Sequence, residues 1–439
     1  MNTSTKSNGL GKYMPLAFAA GIGSMLGSGI IVGLSSTIVV WQNGLGLDTT
    51  QVGLLSGILT FAIAFGSLFG GRLADCIGRV LFFNWINLFY AIGAIVCIVA
   101  NNFGVLLTGL IIAGLASGAD LPVSMTVVSH DAPDDATAAR LVSTTQVFWQ
   151  VGVFISFICA FLVSTMSGAT GGRVVFAILA VFAVVAWIWR LVSPTFRRFH
   201  EEADARDAAR PAGVASGKVS VTKVLFGADK KVLLTYFLAI VIFYVGWNLL
   251  ANTWGQFQTY MFSKAGATQS LATGLGIILN LVTLILNIVF ASIAGGKYRN
   301  KAFFAGIIIS VIAMIAMAMG GTNLWVIVGA TAFMNCGSPL AGEALYKVWT
   351  QESFPIEIRA SVQGFINGFS RLCCGLFALI TPALVLPETI QTTMWCFAGI
   401  VVIEGIAGTL MIRAQKKYGT DEERQLAKAA ASASVAVQA

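Results

Sequence analysis

Long apolar stretches separated by short polar breaks run through almost the whole chain. They lie near residues 13–41, 51–71, 80–101, 104–129, 141–165 and 173–194, and again near 232–262, 268–294, 302–320, 323–350, 361–385 and 391–414. Each can cross ~30 Å of hydrocarbon as a helix. The runs are continuous and rich in Gly, Leu, Ile and Ala, without period-two alternation, so they predict helices rather than barrel strands. Between the sixth and seventh runs, residues 195–231 hold Arg197, Arg198, Glu201, Glu202 and a small, polar run from Gly213 to Ser220. Such a stretch is not expected to bury a core. It reads as a cytoplasmic linker with a short surface helix.

The pattern predicts an all-α membrane protein with twelve transmembrane helices in two pseudo-symmetric six-helix bundles. The expected parts are a bundle over 1–194, a linker over 195–231, a second bundle over 232–414 and a mobile cytoplasmic tail over 415–439. A repeat of motifs supports two related halves. The fourth run ends Gly118-Ala-Asp120-Leu-Pro122, followed by His130-Asp131-Ala-Pro133 and Arg140. The tenth ends Gly342-Glu343, followed by Glu352-Ser-Phe-Pro355 and Arg359. Corresponding elements at corresponding places are what a duplicated transporter fold requires.

Composition strengthens this picture. Of 439 residues, 57% are hydrophobic and 10% charged, against roughly 25% charged in an ordinary soluble domain. The net charge of +8 does not indicate a nucleic-acid partner, because the basic residues fall in alternate loops. Lys6 and Lys12, Arg72 and Arg79, Arg140, the cluster from Arg197 to Lys231, Lys297 to Lys301, Arg359, and Arg413 to Lys417 share one side; Arg173 and Lys264 are the exceptions. The positive-inside rule then puts both termini in the cytoplasm of a multi-pass protein in the inner membrane. The first apolar run is too long for a signal peptide. The seven cysteines show no metal-ligand spacing. No nucleophile–base set or nucleotide motif stands in the loops, so neither an enzyme nor a cofactor is expected.

The hairpin Gly71-Arg-Leu-Ala-Asp75-Cys-Ile-Gly78-Arg79 resembles the signature loop of the major facilitator superfamily. The segment from Val348 through Glu352-Ser-Phe-Pro355 and Arg359 to Gly364 is similar to the exit of the tenth span in sugar porters. The segment from Gly118 to Pro133 is similar to sugar porters and to metabolite and aromatic-acid proton symporters. The resemblance implies a monomeric secondary transporter that binds a small polar solute, a sugar or cyclic polyol, and alternates access with protons as partner. It also implies a cytoplasmic latch from Gly71, Asp75, Gly78, Arg79, Asp131, Arg140, Glu352 and Arg359, with Asp131 a candidate partner of Arg79. The usual proton-coupling Asp and Arg of sugar symporters are missing, since the first span reads Gly27-Ser28-Gly29-Ile30 and the fourth opens Leu107-Thr108-Gly109.

Ionisable residues inside spans cost at least ~2.5–3.5 kcal/mol on insertion scales, so each needs a partner or a task. Asp120, Glu343, Arg371 and Glu404 qualify. Arg371 should sit ~15 Å into its helix, at a depth similar to Glu343, and a Glu343–Arg371 pair is expected. Asp120 has no obvious intramembrane arginine in its half, so it reads as a candidate proton carrier or as a carboxylate bonded to helix ends. Glu404 is expected to be structural. Asn248, Asn252 and Gln256 repeat at i, i+4 beside Trp247, a face of amides suited to hydroxyl groups. Gln146, Trp149 and Gln150 form a second such face, and Asn280, Asn335 and Asn367 are further candidates for a cavity lining. His130 reads as a solvated loop residue. Three rivals stand beside the sugar reading: an organic-acid symporter in which Arg371 clamps a carboxylate, a facilitative uniporter, and a drug or metabolite exporter.

Overall fold

The computed structural model describes residues 7–133, 135–208, 227, 229–293, 298–320 and 322–427. They form α1 (Ser7–Leu45), α2 (Thr49–Ile77), α3 (Arg79–Ile98), α4 (Phe103–Asp131), α5 (Asp135–Leu162), α6 (Thr170–Val192) and α7 (Pro194–Ala208). Next come α8 (Lys230–Lys264), α9 (Gln269–Ile293), α10 (Arg299–Gly320), α11 (Leu324–Leu340), α12 (Glu343–Ser353), α13 (Ile356–Leu384) and α14 (Ile390–Tyr418). Eleven segments are long and apolar enough to span a membrane, α11 and α12 together counting as one. The 28-residue α5 fills the place of the fifth span, giving twelve.

The chain gathers into two compact units whose borders differ from those expected. The first comprises Met1–Ala215, Thr253–Ile278 and Cys374–Leu386, and the second Ser216–Asn252, Leu279–Cys373 and Pro387–Ala439. Packing and hydrogen bonds explain the exchange. In the first unit, Gln256 Nε2 donates to Thr60 Oγ1 at 2.8 Å and Gln269 Nε2 to the Ser36 carbonyl at 2.6 Å. The Ser164 and Ser270 hydroxyls meet at 2.7 Å.

Close helix approach shapes the first unit. A Cβ at Gly66 would overlap the Leu115 carbonyl, and one at Gly118 would overlap the Ile63 carbonyl. The two helices α2 and α4 thus touch backbone to backbone through Gly66-xxx-Gly70 and Gly114-xxx-Gly118, the small-residue spacing that drives association where water is absent. Ser67 Oγ donates to the Gly118 carbonyl at 2.9 Å across the same seam. The turn from α2 to α3 passes through Gly78 at φ +110°, where a side chain would be strained. Arg173, an exception to the loop-charge pattern, donates from Nη2 to the Ala100 carbonyl at 2.8 Å. It satisfies the carbonyl end of α3, where the helix dipole favours a cation.

The linker departs from expectation, because its first part does bury a core. On α7, Phe196 and Phe199 are 1% and 0% exposed, and the Phe199 ring lies 4.7 Å from that of Tyr13 on α1. Full burial of such a side chain contributes about 1.5–3 kcal/mol, which outweighs the polar composition around it. Lys12 Nζ bonds Glu202 Oε2 at 3.0 Å on the exposed edge. That bond holds the Glu202 carboxyl below the usual carboxylate range.

The core of the second unit is aromatic. The Trp349 ring of α12 lies 4.9 Å from Phe243 of α8 and 5.7 Å from Phe303 of α10. Tyr244 stacks on Tyr346 at 3.9 Å, and the Tyr346 hydroxyl donates to the Gln363 carbonyl of α13 at 2.7 Å. The tenth span, expected to be continuous, is broken at Ala341–Gly342 between α11 and α12. Pro339 lies within the last turn of α11, and Gly342 takes φ −146° and ψ −144°, outside the helical range. The tail is ordered at its start, where Arg424 Nη2 donates to the Ser353 carbonyl at 2.7 Å.

Two outcomes follow. Gly118→Val forces α2 and α4 apart and lowers stability by about 1–3 kcal/mol or more, read as a drop in thermal midpoint in detergent. A carboxylate held below its unfolded value stabilises at and above the ordinary carboxylate range, and that contribution is lost as pH falls through the folded value. Hydrogen exchange along α7 should therefore rise on acidification, and Glu202→Gln should remove that part of the rise; an unchanged profile in the variant would show the bond is idle.

Candidate functional site

Polar groups inside the spans sort by what they touch. Asp120 on α4 and Arg190 on α6 are 2% and 1% exposed. Arg190 Nη1 donates to Asp120 Oδ1 at 2.7 Å and to the Phe83 carbonyl at 2.9 Å, while Nη2 donates to the Ala19 carbonyl at 2.8 Å and to Asp120 Oδ2 at 3.3 Å. Ser124 Oγ adds a bond to Asp120 Oδ1 at 2.9 Å, and the guanidinium lies 3.9 Å above the Phe83 ring. Gly23 makes the room, since a Cβ there would overlap the Asp120 carboxylate. The expectation of a carboxyl without an arginine in its half is corrected: the sixth span supplies it two residues before the end of α6. A carboxylate met by a fixed guanidinium and a hydroxyl ties α1, α3, α4 and α6 together.

At the α4 exit, Asp131 is fully buried. His130 Nδ1 approaches its Oδ1 at 3.0 Å, and His200 of α7 approaches Oδ2. His130 is thus no solvated loop residue: it closes α4 and is half-buried. The acid weighed as a partner of Arg79 is engaged by both histidines of the chain. In the second unit, Arg299 Nη1 donates to Glu352 Oε1 at 2.6 Å and Gln415 Nε2 donates to Oε2 at 3.2 Å. The side chains of Gly71, Asp75, Arg140, Arg359 and Gln146 lie outside the described set.

The broken tenth span positions a polar cluster in the second unit. Glu343 opens α12, where the helix dipole favours a carboxylate. Its partner is Lys347, one turn along, at 2.8 Å, not Arg371. Arg371 instead donates from Nε to Asn367 Oδ1 at 3.3 Å. Asn248 Nδ2 of α8 donates to Ser370 Oγ of α13 at 2.9 Å, and that hydroxyl donates to the Asn367 carbonyl at 2.8 Å. Trp247 Nε1 donates to Ser338 Oγ at 2.9 Å, and its ring rests against Gly342 so closely that a Cβ there would overlap it. Asn248, Trp247, Glu343, Lys347, Asn367 and Arg371 are all half-buried. Half-burial of amide, hydroxyl, indole and charged groups within one unit is the chemistry of a site for a hydroxylated or charged small molecule.

Other predicted lining residues have different places. Gln256 is 3% exposed and serves the α8–α2 bond to Thr60 in the first unit, so it leaves the Asn248 face functionally. Asn335 Nδ2 donates to the Leu279 carbonyl at 3.1 Å and holds α11 to α9. Trp149 packs with Val32, Val153, Phe157 and Ile277, with its ring 3.3 Å from where a Gly27 Cβ would stand. Gln150 beside it is half-buried, as are Asn252 and Asn280. Ser338, Ser370 and Lys347 were missed by sequence reasoning. The i, i+4 spacing of Glu343 and Lys347 was a usable signal; a serine in an apolar helix gives none.

The helical spans define the class: a polytopic membrane protein. The sequence model described as Major Facilitator Superfamily matches residues 16–378, and the chain belongs to that superfamily. It is 29% identical over 411 residues to the minor myo-inositol transporter IolF of Bacillus subtilis (strain 168), with 92% of each chain covered. The inward-open structure of the xylose transporter XylE from E. coli superposes with a TM-score of 0.70 at 14% identity, covering 89% of this chain and 94% of that one. The peptide transporter POT in complex with sulfate gives 0.69 at 15% identity, covering 91% and 95%. Near-equal likeness to a sugar and a peptide carrier carries the fold, not the solute.

The buried pair yields a direct test. Removing one partner of such a pair costs about 3–5 kcal/mol. Arg190→Gln and Asp120→Asn should each lower the unfolding midpoint in detergent sharply. The double variant Asp120→Leu with Arg190→Leu should be less destabilised than the sum of the single Leu variants.

Proposed function

We propose that this chain is a carrier that moves a sugar or cyclic polyol across the inner membrane by alternating access, coupled to protons, with both termini in the cytoplasm. The observation that carries the reading is the cluster of Asn248, Ser370, Trp247 and Ser338 beside the break between α11 and α12. Amides and hydroxyls both donate and accept, as a polyol's hydroxyls do, and an indole offers a face for C–H groups. Asn248 bonds Ser370 and Trp247 bonds Ser338, so a solute can exchange those bonds for its own. The similarity to a myo-inositol transporter over nearly the whole chain supports a solute of this class.

In this proposal Asn248 and Trp247 orient the solute, Asn367 and Ser370 complete its hydrogen bonds, and Asn252, Asn280 and Gln150 are secondary contacts. The discontinuity at Gly342 places a helix N-terminus at the site, the feature by which carriers build intramembrane binding. The Arg299–Glu352 pair, with Arg359, serves as the cytoplasmic latch of the second unit, and Gly71, Asp75, Gly78, Arg79, Asp131 and Arg140 serve as that of the first.

A second reading rests on Arg371. Its guanidinium is half-buried and a hydrogen bond to Asn367 orients it; a fork-shaped cation so placed suits a carboxylate solute. Two variants separate the readings. Thermal-shift titration with myo-inositol should stabilise the wild type. Asn248→Ala should weaken that effect by about tenfold, the consequence of losing one hydrogen bond to the solute, whereas Arg371→Ala should only perturb it. Stabilisation by benzoate or another organic acid, abolished in Arg371→Ala, with no response to myo-inositol, would make the carboxylate reading the right one.

A further inference from the structure

Glu404 is a buried acid that the site above does not use. It stands near the middle of α14 (Ile390–Tyr418), 4% exposed. Among the described residues, no side chain or backbone group is seen to bond it. The other buried carboxylates differ: Asp120 meets Arg190, and Asp131 meets two histidines.

What Glu404 touches is apolar. A Cβ built at Gly246 of α8 would stand 3.5 Å from the Glu404 Cβ and 3.6 Å from Ile400 Cγ2. Gly246 of α8 thus lies beside the carboxyl stem, with α8 and α14 in ordinary van der Waals contact there. Phe243 and Leu250, on the same face of α8, are fully buried, as is Val401 on α14. The neighbouring Gly405 faces Ile307 of α10. The titratable groups of these elements are turned elsewhere. Tyr236 of α8 bonds the Gly419 carbonyl and Tyr244 stacks on Tyr346. On α10, Arg299 is taken by Glu352 and Lys301 lies over Tyr298 at the helix start. Arg413, Lys416 and Lys417 of α14 lie in its last turns.

We propose that Glu404 is the proton-binding site of this carrier, holding a neutral carboxyl while α8 packs on α14 and ionising when the two helices part. The inference deepens the reading of a proton-coupled carrier and rests on it. An unpaired carboxylate at mid-membrane is disfavoured because no dipole replaces its hydration. With Gly246 beside its stem and the side chain 4% exposed, α8 covers this face of Glu404. Ionisation thus requires α8 to move, and proton release requires water to enter that seam. Asn248 lies two residues along α8 from Gly246, so a shift of α8 also moves the polar cluster. The proton and the solute then bias one two-state element, which is how coupling arises without contact between them.

The test uses the full chain in proteoliposomes, with Glu404→Gln as the main variant. Infrared difference spectra over a pH titration should show a neutral carboxyl band in the wild type at neutral pH that Glu404→Gln lacks. Myo-inositol accumulation driven by an imposed proton gradient should fall to unity in Glu404→Gln, and its counterflow, at whatever rate, should no longer vary with pH. Glu404→Asp keeps a carboxyl and should shift the midpoint of both readouts, which retains the test if the glutamine variant fails to fold. An unchanged band, or full accumulation in Glu404→Gln, would overturn the assignment. If no variant, wild type included, moves myo-inositol, the transport reading fails on its own, and the infrared arm still decides whether Glu404 carries the proton.

Discussion

A membrane interior gives a polar side chain no water to fall back on, and every other feature of this chain follows from how that constraint is met. Where the chain needs rigidity, the polar group is held by several partners at once. Arg190 illustrates it: one guanidinium serves the Asp120 carboxylate and two backbone carbonyls, and sits on a phenyl face. Where a solute is proposed to enter, half-buried Asn248 bonds the buried Ser370 hydroxyl. Where a proton must enter, the group is left without a partner, as Glu404 is among the described residues. The same physics thus yields a tie, a site and a switch, depending on how far desolvation is compensated.

The fold was legible because the signals that encode it are local. Twelve apolar runs, their length and the loop charges fix spans, and Gly-xxx-Gly spacing on α2 and α4 marks a seam. What was not legible depends on which faces meet. Arg190 lies in the sixth apolar run, and nothing local shows that α1, α3 and α4 converge on it. Lys347 lies in the tenth run and meets Glu343 on α12, past the break at Gly342. The break itself carried a signal in Pro339 and Gly342, yet the apolar run across it concealed the change of direction. The linker's Phe196 and Phe199 were outweighed in reading by the charges around them, although two buried rings suffice to dock α7.

The candidate site was legible in kind and less so in membership. The α8 amide face places Asn248 at the cluster. Gln256, at the same helical spacing, is instead spent on the bond to Thr60. Helical periodicity gives the face and cannot give the partner, because one turn further along α8 the chain belongs to the other compact unit. Asn335 shows the same limit: an amide in a span is as readily a strut between helices as a contact for a ligand.

The account stands or falls on Asn248 facing a water-accessible, solute-filled space. In a cysteine-free background, Asn248→Cys should react with a small hydrophilic thiol reagent, and a saturating polyol such as myo-inositol should slow that reaction severalfold. A thiol that never reacts, or one whose rate ignores every polyol while the protein remains folded, would contradict it.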